Sequence, residues 1–139
     1  IMNHHFITFN KDEIIFLEGQ PSHCAYIIES GKIGIYREDS SGNRFLVRKL
    51  SKNDLFGEMS LIDKYPRSAT AIALKNTRCM IIERSRFDYL TKFNPQFMVR
   101  LIKSLTEKLR TTIAKLNKAQ PLRKNRAAII KPRYLTFTT

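Results

Sequence analysis

The sequence predicts a mainly β fold with C-terminal α: an antiparallel β-roll, a jelly-roll-like barrel, flanked by helices. Residues 6–83 break into short runs rich in β-branched and aromatic residues. These recur at roughly ten-residue spacing with turn signals between them, the pattern of an antiparallel barrel or jelly roll. Beyond residue 84 the apolar period changes to steps of three and four, which is helical. The chain has 139 residues, enough for one domain with a sizeable core and no more. No alternation of strand and helix patterns is present, so a doubly wound or TIM-barrel sheet is not expected.

Taken in order, the predicted strands are Phe6–Phe9, Ile14–Leu17, Ala25–Ile28, Lys32–Arg37, Arg44–Leu50, Ala69–Leu74 and Arg78–Glu83. Glu18-Gly19-Gln20-Pro21, Ser30-Gly31, Ser40-Ser41-Gly42-Asn43 and Lys75-Asn76 are the turns between them. Ser85 is a candidate N-cap for a helix through Phe93, with Phe87 and Leu90 on one face. Asn94-Pro95 then supplies an N-cap and a first-turn proline for a second helix over about 95–120. Along it Met98, Ile102, Leu105, Leu109, Thr112 and Leu116 recur at steps of 4, 3, 4, 3 and 4, a heptad-like seam. Leu101 and Ile113 widen that face. The seam therefore reads either as a homodimer contact or as a cover for the roll. Residues 1–120 make the domain, and 121–139 a basic tail in which Lys131-Pro132-Arg133 argues against a helix.

Charge divides the chain the same way. Twenty-five Lys and Arg against 12 Asp and Glu give +13. Residues 1–80 hold 11 of the basic and 9 of the acidic residues; residues 81–139 hold 14 and 3. Arg123-Lys124-Asn125-Arg126 suits a non-specific contact to phosphates or an acidic membrane surface, or is simply a solvated tail. No apolar run approaches the ~18 residues of a membrane helix, and no signal-peptide pattern opens the chain. Cys24 and Cys79 are too few for a disulfide scaffold and read as small buried hydrophobes. His4, His5 and His23 make no metal site, so no metal is expected. Without a nucleophile elbow, a phosphate-cradling Walker loop or paired catalytic carboxylates, no enzyme activity is expected either.

The stretch Leu55-Phe56-Gly57-Glu58-Met59-Ser60-Leu61-Ile62-Asp63-Lys64-Tyr65-Pro66-Arg67-Ser68-Ala69-Thr70 carries the chemistry. It connects two strands through a short helix predicted over Glu58 to Asp63. Gly57 allows close backbone approach, the amides at the helix start favour an anion, and Arg67 returns a guanidinium to the same place. Together they describe a phosphate cradle. Glu58 conflicts with a bare phosphate but fits a ligand that also carries hydroxyls, such as a compact cyclic ribose phosphate. On spacing alone, an ordinary Glu58–Arg67 ion pair in a surface loop is equally open.

Residues 56–73 resemble the phosphate-binding cassette of cyclic nucleotide-binding domains, through FGEMSL and PRSATAIA. Glu13-Ile14-Ile15-Phe16-Leu17-Glu18-Gly19 is similar to the opening strands of that family. Tyr26-Ile27-Ile28-Glu29-Ser30-Gly31-Lys32-Ile33 is similar to its next hairpin, and Arg86-Phe87 through Asn94-Pro95 to its last two helices. The likeness covers about residues 8–117. It implies a cyclic nucleotide sensor, cytoplasmic or on the cytoplasmic face of a membrane within a larger protein, with cAMP favoured over cGMP as ligand. Gly57 and Glu58 would hold the ribose 2′-hydroxyl, and Arg67 the cyclic phosphate, helped by Ser60 and Ser68. Val47 would wall the base and Thr112 would meet its edge. Asn53 and Asp12 stand where the family favours glycine, and Asn53 tolerates the left-handed backbone that such a turn needs. The family's N-terminal helix is not recognised, which suggests a piece of a longer chain. Two rivals remain: the sensing part of a transcription regulator whose DNA-binding module lies elsewhere, and an interaction domain with a vestigial pocket.

Overall fold

The computed structural model describes residues 5–119, with side chains through Asn117. The strands are β1 (His5–Phe9), β2 (Ile14–Phe16), β3 (Cys24–Ser30), β4 (Ile33–Glu38), β5 (Arg44–Leu50), β6 (Leu55–Phe56), β7 (Thr70–Ala73) and β8 (Thr77–Glu83). The helices are α1 (Met59–Asp63), between β6 and β7, then α2 (Arg84–Phe93) and α3 (Pro95–Ala119). All seven predicted strands form. The eighth, β6, has only two residues, too short to stand out from the connection that contains it. It survives by pairing Leu55 and Phe56 with Ile27 and Tyr26 of β3.

The strands make two antiparallel four-stranded sheets, ordered β1-β8-β3-β6 and β2-β7-β4-β5. The predicted barrel does not close among the described residues: β1, β6, β2 and β5 are edges. The core draws on both sheets, with Phe9, Tyr26, Ile28, Phe56 and Cys79 from one and Phe16, Ile33, Leu50, Ala71 and Ala73 from the other. Aromatic residues cluster at one place in it. Tyr26 stacks on Phe56 with ring centroids 5.1 Å apart, and Phe16 lies 6.2 Å from Tyr26 and 6.0 Å from Phe56. The two non-glycine turn residues singled out from the sequence, Asp12 and Asn53, do adopt left-handed backbone, at φ 72° and 75°.

Helix starts differ in detail from expectation. Ser85 is not the N-cap of α2, because β8 runs directly into the helix. Glu83 is the capping position, with no side-chain cap bond, and Ser85 lies in the first turn. Asn94 behaves as expected: its Oδ1 accepts from the Phe97 amide at 3.0 Å, while its own amide closes α2 on Leu90 O at 2.9 Å.

Contacts divide the chain into two units, one ending at Ser104 and the other starting at Leu105, within α3. In the first, Phe97 and Leu101 are buried, and Phe97 meets the Phe87 ring edge-on at 5.8 Å. Arg100 donates to Asn53 O and Ser104 Oγ to Leu55 O. The inward face of α3 is thus Phe97, Leu101 and Ser104. Phe97 stands outside the predicted seam. Of the seam residues, Met98 and Leu105 are half-buried, whereas Ile102, Leu109 and Leu116 are exposed. The predicted tail over 121–139 lies outside the described residues.

Candidate functional site

The site begins where β6 ends. Gly57 turns the chain at φ 76°, and Glu58 occupies the N-cap position of α1, its carbonyl accepting from the Leu61 and Ile62 amides at 3.0 and 3.2 Å. Helix α1 closes at Lys64, left-handed at φ 64°, whose amide donates to Ser60 O at 3.0 Å. The chain then returns along Tyr65-Pro66 to Arg67. There it is gripped by the turn after β2: Gly19 N donates to Arg67 O, and Arg67 N to Gln20 O, both at 2.8 Å. Beyond it, Thr70 Oγ1 accepts from the Glu18 amide at 2.9 Å.

The Arg67 side chain points inward and is only 5% exposed. Nη1 donates to Gly57 O at 2.9 Å and Nη2 to Cys24 O at 2.8 Å, with Cys24 Sγ at 3.8 Å. The guanidinium carbon lies 4.0 Å from the centroid of the Phe16 ring. Gly57 is required twice, for its positive φ and because a Cβ there would sit 2.6 Å from Arg67 Nη1. Burial pulls the guanidinium below its ordinary pKa; Cys24, Tyr26 and Glu58 oppose that shift. The same burial raises the Tyr26 phenol, which stays neutral. Arg67 Nε is buried with no hydrogen-bond partner among the described residues. Since an arginine stays protonated, the geometry offers a desolvated cation with an N–H still to be satisfied.

Glu58 is 0% exposed. The reading of Glu58 and Arg67 as surface-loop residues is therefore excluded: both are interior groups. The structure brings Gly57, Glu58, Ser60 and Arg67 together around α1, with Ser60 buried and Ser68 exposed just after Arg67. Val47 lies on edge strand β5, half-buried, where the register with β4 shifts so that Ile35 faces Arg48 and Tyr36 faces Leu46. Thr112 belongs to the second unit, is exposed, and donates to Lys108 O of its own helix at 2.9 Å.

Phe16, Cys24 and the Gly19-Gln20 turn were not legible as site residues. Cys24 is half-buried and faces Arg67, so the reading of both cysteines as buried hydrophobes holds only for Cys79. No group of three or more potential metal ligands occurs among the described residues. No described helix is long and apolar enough to cross a membrane.

Residues 6–93 match the family model of the cyclic nucleotide-binding domain. The chain belongs to that family. Among curated relatives of this cyclic nucleotide-binding domain is the CRP-like cAMP-activated global transcriptional regulator of Mycobacterium tuberculosis. It is 30% identical over 106 residues, which are 76% of this chain and 47% of the relative. The cAMP-dependent protein kinase regulatory subunit of Dictyostelium discoideum is 33% identical over 87 residues, covering 60% of this chain and 27% of that protein. The chain thus spans less than half of either relative. Among solved structures, the catabolite activator protein of Thermus thermophilus superposes with a TM-score of 0.75 at 28% identity, over 84% of this chain and 55% of that one.

Proposed function

We propose that this cyclic nucleotide-binding domain is a cytoplasmic, non-catalytic sensor that binds cAMP in preference to cGMP and relays the event through α3. One observation carries the reading: a buried arginine, fixed at both ends, with an unsatisfied Nε–H beside a buried carboxylate. A cyclic phosphate supplies oxygens for Arg67, and a ribose 2′-hydroxyl supplies a donor for Glu58 beside the Gly57 backbone. The Ser60 and Ser68 amides and the Ser68 hydroxyl complete the phosphate contacts. Val47 walls the base. Binding favours one arrangement of α1 and α3 over another, and the output follows the shifted population. Support for cAMP comes from the names of the two curated relatives, both of which refer to it. Residues 1–120 are the proposed domain, and 121–139 a tail suited to non-specific acidic partners.

The exposed seam residues Ile102, Leu109 and Leu116, with half-buried Met98 and Leu105, favour a homodimer through α3. A second reading rests on length. Because the Mycobacterium relative is a transcription regulator about half covered by this chain, a longer protein carrying a DNA-binding module fits as well, with no specific nucleic acid contact from these residues. The binding reading is tested by thermal unfolding. Ligand at about 100 times its dissociation constant adds about 2.7 kcal/mol of stability, so saturating cAMP should raise the melting temperature. No shift with either cyclic nucleotide would refute it.

A further inference from the structure

Resting on the cyclic nucleotide reading, we propose that Phe16 is a positioning residue for the ligand: its ring is the floor that holds the Arg67 guanidinium ready for a phosphate. The two carbonyls that accept from Arg67, those of Gly57 and Cys24, fix the guanidinium within its own plane. Hydrogen bonds in that plane resist tilting poorly. The Phe16 ring, 4.0 Å below, supplies the missing restraint, and its π-face offsets part of the cost of keeping a cation out of water. The ring is itself immobile, buried against Tyr26 and Phe56. Four residues along the same segment, Gln20 binds the Arg67 main-chain amide, and Gly19 its carbonyl. One stretch of chain, 16–20, therefore holds the arginine at the backbone and at the guanidinium. A side chain fixed before binding loses less freedom on binding, which raises affinity without a direct contact to ligand.

Calorimetric titration of the full chain with cAMP tests this in a double-mutant cycle. Phe16→Leu, which removes the π-face, should weaken binding about tenfold, and Phe16→Tyr, which keeps the ring, should stay within about twofold of the parent. In an Arg67→Ala background, Phe16→Leu should change affinity no further. A merely structural role would instead give equal losses with and without Arg67, and that result overturns the proposal. A readout independent of ligand and of the leucine variant's folding is the Arg67 Nε–H proton resonance of the parent. Ring current should shift it upfield, burial should slow its exchange with water, and an ordinary arginine position would also overturn the proposal. A parent that binds no cyclic nucleotide refutes the binding reading, while the resonance still reports whether the ring holds the guanidinium.

Discussion

Arg67 concentrates the account at the residue scale. It is an interior cation, and removing one partner of a buried charge pair costs about 3–5 kcal/mol. At about 1.4 kcal/mol per tenfold, Arg67→Ala should weaken cyclic nucleotide binding by roughly two to three decades in a titration. Arg67→Lys should recover only part, since an ammonium cannot reach both carbonyls and present a planar face to Phe16. Glu58→Ala should cost less than Arg67→Ala, because the ligand group proposed to meet it is a neutral hydroxyl. Lys64→Ala, on an exposed residue beyond α1, should leave affinity unchanged. An Arg67→Ala chain that stays folded and binds as tightly as the parent would contradict the phosphate assignment. Gly57→Ala should weaken binding less than Arg67→Ala, since its methyl displaces Nη1 in a backbone conformation that already costs about 1–2 kcal/mol.

Elements carry three further tests. Within α3, Leu101 is buried and its neighbour Ile102 exposed. Leu101→Ala should lower the unfolding free energy by about 2–5 kcal/mol. Ile102→Asp with Leu109→Asp should leave the fold intact and convert a dimer to a monomer by light scattering, because charge at a desolvated seam is costly. A parent already monomeric would contradict the seam. Strand β8 gives the pH test. Burial pushes the Cys79 thiol up to about 12. Its folded value lies above the unfolded value near 8.5, so its contribution is complete below that pH and is lost as pH rises towards 12. The unfolding free energy should therefore fall above about pH 9, by at most about 1.4 kcal/mol per pH unit for this one group, and the melting temperature with it. Cys79→Ala should make that alkaline slope shallower, and an unchanged slope would remove Cys79 as its source.

Across the whole molecule, what the sequence made legible was local. The seven predicted strands between Phe6 and Glu83 are visible because each gathers β-branched or aromatic residues within a few positions. Gly57, Glu58 and Arg67 are visible because one short stretch holds them all. Phe16 and Cys24 left no such trace. Cys24 reaches Arg67 across 43 positions and through a main-chain carbonyl that any residue supplies. The open sheet edges were equally hidden, since closure depends on strand order and not on pattern. Ser85 lost its capping role because β8 and α2 share no loop, which no propensity encodes. The central claim, that this assembly senses a cyclic nucleotide, is tested most directly by calorimetric titration of the 139-residue chain with cAMP and with cGMP. The account predicts saturable binding at one site per chain, tighter for cAMP; the absence of saturable heat with both nucleotides would contradict it.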